Sequence, residues 1–341
     1  MKSVFFSSSC TGLDNLRIMA FVCSSWLSLG DIPAERVANM LKSFKEVIER
    51  ASKMEGKKIA VAAANDLNTL KTFAIAKDRG LAKGLLVGDA DRIEKLAAEN
   101  GIDLSGQEIY HEQEDAEAAR VACDMVRKKQ ADVLMKGLVK TSTFLKAVLD
   151  ADRGLRSGKL LSHVFVFEDR LNGKLVLLTD GGINIRPDVE EKAEIIKNAV
   201  ELYRAMGGEE ARVAALAAIE NVNEKMAETV DARKLEDMSK EGALGNCKVQ
   251  GPLALDNAIS KEAAKVKGLE GPVVGSADVL LAPDIASGNL LGKSLLYYGK
   301  SANAGTVVGT SAPVIFLSRA DDENTKLNSI ALCLAVSESL G

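Results

Sequence analysis

From Met40 onward, short and almost unbroken apolar runs alternate with segments whose apolar residues recur every three to four positions. The runs 58–64 (KIAVAAA), 83–88 (KGLLVG) and 132–136 (DVLMK) are too short for stable helices and lack polar alternation, the mark of strands covered on both faces. Between them, Leu41, Phe44, Val47, Ile48 and Ala51 keep helical spacing up to Gly56. Asn65 and Asp66 can cap a helix that Gly80 closes, and the segment 89–100 closes on Gly101. The spacing predicts further helices over 114–129, 141–150 and 188–206, and a closing amphipathic helix over 324–340. Strands are expected at 213–218, 277–282, 306–308 and 313–317, and the apolar runs 163–167 and 174–178 follow each other with little helix between. Strands exchanged with helices imply an α/β fold with mostly parallel sheets covered by helices on both faces. A chain of 341 residues is comfortable for two domains. No low-complexity linker separates them, so the glycine-rich basic stretch 153–159 (RGLRSGK) is expected to cross between two lobes flanking a cleft.

Composition removes several functions. A net charge of −4 argues against a general nucleic-acid binder, which needs a basic surface. The five cysteines are scattered with no CxxC pair, as expected of free thiols in a reducing cytoplasm. Two histidines exclude a histidine-rich metal site, and no GxSxG lies near either to suggest a Ser-His-Asp triad. No apolar run reaches membrane-spanning length; the nearest, 18–29, is interrupted by Cys23-Ser24-Ser25. Residues 1–39 hold the only tryptophan, Trp26, show no clean period, and are expected to be a non-core N-terminal extension.

Strand ends that open helices are natural anion sites, because the first helical N–H groups are unpaired and the helix dipole favours negative charge. Three junctions here add suitable side chains. In Lys136-Gly137-Leu138-Val139-Lys140-Thr141-Ser142 (KGLVKTS), a strand ends on a lysine, a glycine allows close backbone approach, and Lys140, Thr141 and Ser142 open a helix. It is not a Walker A loop, which needs GxxxxGK[ST]. In 283–293 (PDIASGNLLGK), Asp284, Ser287, Gly288 and Asn289 can present donors and caps, and Lys293 lies four residues after Asn289 on the same helix face. Ser318-Arg319 ends the apolar run 313–317; an arginine there can grip phosphate bidentately and a serine can donate to the same anion or to a developing oxyanion. Asp180 and Asp256 also follow apolar runs and read first as caps of turns or helices.

Together the runs KGLVKTS, LLTDGGINIRPD, GPLALDNAIS, PDIASGNLLGKSLLYY and PVIFLSRADD resemble the phosphate acetyl/butyryl transferase family, in the right order from about Met40 to the C-terminus. The resemblance implies a two-lobed α/β/α fold shared with the isocitrate and isopropylmalate dehydrogenases, a homodimer or higher homo-oligomer, and a coenzyme A and phosphate site in the cleft. The first lobe is then discontinuous, 40–158 plus 305–341, with 159–304 forming a second, dimerising lobe. Ser318 and Arg319 match the family's catalytic Ser-Arg pair. Family members acting on acetyl groups carry an aspartate seven residues after that serine; Thr325 stands there and cannot serve as a base at neutral pH, so no base is carried over. Those members also tend to have a histidine where Lys140 stands, and their counterpart of GNLLGK differs; both differences favour butyryl over acetyl.

The implied reaction moves a butyryl group reversibly between coenzyme A and inorganic phosphate, with transfer of acetyl as the alternative. Coenzyme A is then a substrate, with no cofactor bound permanently and no metal, and the enzyme is cytoplasmic. Lys136, Lys140, Thr141, Ser142, Asp284, Ser287, Gly288, Asn289 and Lys293 are expected to bind substrate beside Ser318 and Arg319. Two other classes compete. An NAD-linked decarboxylating dehydrogenase of the same fold needs clustered metal-binding aspartates and substrate arginines, which are missing. A non-catalytic acyl-phosphate or coenzyme A sensor keeps the binding residues and lacks turnover.

Overall fold

The computed structural model describes residues 40–318 and 321–340; the expected extension 1–39 lies outside the described residues. The first amphipathic segment forms α1 (Phe44–Ala51), where the Ser43 hydroxyl caps the helix by accepting from the Glu46 N–H and Phe44, Val47 and Ala51 face the core. There follow β1 (Lys58–Ala62), α2 (Leu67–Asp78), β2 (Lys83–Gly88), α3 (Ala90–Glu99), β3 (Glu108–His111), α4 (Asp115–Arg127), β4 (Val133–Lys136) and α5 (Thr141–Val148). The chain then makes β5 (Ser162–Asp169), β6 (Lys174–Thr179), α6 (Val189–Ala205), β7 (Ala211–Leu216), α7 (Ala227–Lys240), β8 (Cys247–Leu253), α8 (Leu255–Ile259) and α9 (Lys261–Val266). It closes with β9 (Val279–Leu281), α10 (Ile285–Tyr297), β10 (Asn303–Val308), β11 (Val314–Ile315) and α11 (Glu323–Val336).

All these strands join one sheet in the order β3-β2-β1-β4-β11-β10-β5-β6-β9-β7-β8. The pairings are parallel except β11–β10, β10–β5 and β5–β6. The antiparallel centre follows from chain length. Only Arg170 to Gly173 separates β5 from β6, which allows a hairpin but no crossover helix. The expectation of an α/β fold with mostly parallel sheet therefore holds, and β5 and β10 are where the parallel rule stops.

Two consequences position the site. First, β11 enters parallel to β4, pairing Ile315 with Met135, so the chain leaving β11 emerges beside Lys136. Second, α11 is a central helix: every residue from Thr325 to Val336 is buried, and it packs on α1, α2 and β10. Its buried polar groups are mostly paired. Ser329 Oγ accepts from the Gly305 N–H at 2.9 Å and donates to the Thr325 carbonyl at 2.7 Å, and Asn328 Nδ2 donates to the Asn303 carbonyl at 3.3 Å.

Candidate active site

The β4–α5 turn is built on the end of β1. Gly137 N–H donates to the Ala62 carbonyl at 2.9 Å and Leu138 N–H to the Ala63 carbonyl at 2.8 Å. A Cβ on residue 137 would lie 2.3 Å from the Ala63 oxygen, so only glycine lets the two backbones approach this closely. Lys136 is buried by this packing, and its ammonium donates to the Gly137 carbonyl at 3.2 Å. Lys140 occupies the cap position of α5 but makes no side-chain capping bond. Thr141 and Ser142, in the first turn, are exposed. The start of α5 thus presents a helix N-terminus without a side-chain cap on the same turn as two lysines.

Ser318 leaves β11 exposed to solvent, in a turn held by Asp321. The Ser318 N–H donates to Asp321 Oδ2 at 2.8 Å, and the Asp321 N–H donates back to the Ser318 carbonyl at 3.1 Å. Asp321 Oδ1 in turn pairs with the Lys293 ammonium at 3.4 Å. Arg319 lies outside the described residues. The next carboxylate, Asp322, caps α11 by accepting from the Thr325 N–H at 2.7 Å.

Lys136 and Ser318 line a common cavity of about 390 Å³ with Asp66, Asn68, Thr69 and Lys326. Asp66 is the cap of α2: its Oδ1 accepts from the Thr69 N–H, and its other oxygen takes the Thr69 hydroxyl. Strand ends more than 180 residues apart in sequence thereby deliver two of the expected site residues to one place.

The 283–293 segment behaves differently along its length. Asp284 caps α10, accepting from the Ser287 N–H and Oγ at 2.8 Å each, and the Ser287 N–H holds its carboxyl below the ordinary value of 3.8. Gly288 lets α10 lie on the loop after β6, since a Cβ there would fall 2.4 Å from the Asp180 oxygen. Asn289 Nδ2 ties the same loop through the Gly181 carbonyl at 3.0 Å. Asp284 and Ser287 therefore shape one end of α10. At a rise of about 1.5 Å per residue, Lys293 is roughly 13 Å further along, where it joins the Ser318 turn through Asp321. Asp180, read as a cap, serves as one: its carboxylate accepts from the N–H groups of Gly182, Ile183 and Asn184 and from that of His163. His163 is buried, and desolvation holds its imidazole below the ordinary value of 6.5, so it stays neutral.

Thr325 has a structural partner. It is 3% exposed and its hydroxyl donates to Asn303 Oδ1 at 2.8 Å. Thr325→Ala is expected to lower stability by about 1–3 kcal/mol through the unpaired Asn303 oxygen, while kcat/KM falls less than roughly tenfold, a small effect for loss of a general base. Denaturant unfolding and steady-state kinetics check both; collapse of activity in a folded Thr325→Ala variant contradicts the assignment.

Two residues at the site were not anticipated, Asp321 and Lys326. Asp321 lies within the PVIFLSRADD run, two residues after the Ser-Arg pair. Lys326 stands among Leu327, Ile330, Ala331 and Leu334, but the polar Thr325, Asn328 and Ser329 on the same helix hid it in the sequence. Among the described residues no three His, Cys, Asp or Glu side chains could hold a metal ion, and no helix is long and apolar enough to cross a membrane.

Residues 43–122 and 112–334 match the family described as Phosphate acetyl/butaryl transferase. A phosphate butyryltransferase of Clostridium acetobutylicum is 46% identical over 297 residues, covering 87% of this chain and 99% of that protein. The crystal structure of a branched-chain phosphotransacylase from Enterococcus faecalis superposes with a TM-score of 0.74 at 32% identity, over 82% of this chain and 99% of the other. A 4-hydroxythreonine-4-phosphate dehydrogenase from Klebsiella pneumoniae shares the fold, with a TM-score of 0.54 at 12% identity over 82% of this chain and 99% of the other. With the family match running from 43 to 334 and nearly half of all aligned positions shared with a full-length relative, this chain belongs to the family of phosphate acetyl and butyryl transferases.

Proposed function

We propose that this chain transfers a short acyl group, butyryl or a branched relative, reversibly between coenzyme A and inorganic phosphate. The observation that carries this reading is the meeting of Lys136 and Ser318 in one cavity, beside the turn that opens α5 without a side-chain cap. Such a site suits two anions that must be held close together, an entropic and electrostatic task rather than one needing a covalent intermediate. A phosphate oxygen attacks the thioester carbonyl carbon, the new C–O bond forms, and the C–S bond breaks. The proton carried by phosphate ends on the departing sulfur. Ser318 donates to the reacting centre, Lys136 and Lys140 neutralise charge, and Arg319 clamps the phosphate. Nearby cations also favour the thiolate form of coenzyme A in the reverse direction.

Coenzyme A acts as a substrate in this reading, in a cytoplasmic homodimer, and the lobes 40–158 with 305–341 and 159–304 flank the reacting groups. The 46% identity to a phosphate butyryltransferase supports a four-carbon acyl group over acetyl. Incubation with phosphate and acetyl-, propionyl-, butyryl-, isobutyryl- or valeryl-CoA, with hydroxylamine trapping of the acyl phosphate, tests it. The expected result is hydroxamate formed fastest from a four-carbon substrate. A preference for acetyl-CoA replaces the butyryl reading with the acetyl one, and hydroxamate from none of them overturns both.

A further inference from the structure

Lys326 is the exception on α11. It is 5% exposed, yet among the described residues its ammonium has no hydrogen-bond or ion-pair partner, whereas Thr325, Asn328 and Ser329 around it are all bonded. A lysine stem held in a packed helix, its ammonium open to a cavity and without a counter-charge of its own, can pair with an anion that enters that cavity. Lys326 lines the same 390 Å³ cavity as Lys136 and Ser318, and Lys136 is itself only 7% exposed. The opposite wall is the N-terminus of α2. Of the N–H groups at that helix start with no helical partner, that of Thr69 is taken by the Asp66 carboxylate. Leu67 and Asn68, whose N–H groups open the same turn, line the cavity. Among the described residues the one carboxylate on the wall, Asp66, has both oxygens turned to donors of Thr69.

From this geometry we infer that Lys326, with Lys136, Ser318 and the first turn of α2, forms a binding site for a phosphate group, in which Lys326 supplies the charge that the bound phosphate neutralises. The inference deepens the acyl-transfer reading and rests on it for the identity of the phosphate, which is either the inorganic phosphate that accepts the acyl group or a phosphate of coenzyme A.

The test uses the full chain and its Lys326→Met and Lys326→Arg variants. Methionine keeps the packing of the stem and removes the charge. Calorimetric titration with inorganic phosphate is expected to show binding to the wild type and at least about tenfold weaker binding to Lys326→Met, with Lys326→Arg in between. Lys326→Met should be folded with a Tm close to that of the wild type, because the packing of the stem is kept. In turnover, a raised KM for phosphate with an unchanged KM for butyryl-CoA assigns the site to the acceptor. The reverse pattern, with CoA-dependent binding lost, assigns it to a phosphate of coenzyme A. Wild-type affinity for phosphate and for CoA in folded Lys326→Met overturns the inference. If the wild type turns over no acyl-CoA, the acyl-transfer reading fails by itself, and the phosphate titration still decides whether the site exists.

Discussion

Gly137→Ala is expected to lose at least about a hundredfold in kcat/KM, the scale on which an ångström-sized displacement of catalytic groups is felt. The added methyl group would meet backbone oxygens, 2.3 Å from Ala63 and 2.7 Å from Ala62, and neither is the mobile end of a side chain. The β4–α5 turn must therefore move away from β1. That breaks the N–H bonds of Gly137 and Leu138 to β1 and displaces Lys136 and the start of α5 together. The accompanying loss of stability should be about 1–3 kcal/mol, typical of overpacking at a tight contact. Circular dichroism, denaturant unfolding and initial-rate kinetics measure the two effects separately. A folded Gly137→Ala variant with near-normal kcat/KM contradicts the placement of this turn at the reacting groups.

Arg319→Lys should be strongly impaired although the charge is kept. A guanidinium grips a phosphate through two parallel N–H bonds, which an ammonium cannot reproduce. The expected loss in kcat/KM for phosphate exceeds about tenfold, equivalent to more than ~1.4 kcal/mol of transition-state stabilisation. The motivation is the position of Arg319 immediately after Ser318, whose turn is fixed by Asp321 and lies beside Lys136. Steady-state kinetics at varied phosphate measures it, and wild-type kinetics would remove Arg319 from the site.

The parts of this fold that were legible are those governed by local pattern. The apolar runs that became β1, β2 and β4 and the cap at Asp66 are all written in short stretches of sequence. Unread elements have ordinary physical reasons. β3 is an edge strand whose residues Glu108–His111 are partly or fully exposed, so it carries no apolar signal. α7 buries only Thr229, Ala232 and Leu235, and its polar residues hid the period. β8 contains Gly251 and Pro252, two residues that weaken a strand pattern. At the site, Lys136 and Ser318 were visible because each ends an apolar strand. Lys326 and Asp321 were not, because their importance is tertiary. Lys326 matters only once a buried helix is seen to end against a cavity, and Asp321 only once Lys293 arrives from another element. Asp284 and Ser287 sit in a family-like run, and in the structure they cap α10.

The most direct test of acyl transfer to phosphate is the initial rate of thiol release from butyryl-CoA as phosphate concentration is varied. The arrangement of Lys136, Ser318 and the neighbouring helix N-termini predicts release that depends on phosphate and saturates with it, with acyl phosphate formed mole for mole with free thiol. Thiol release that is absent, or that proceeds equally well without phosphate, would contradict the central claim.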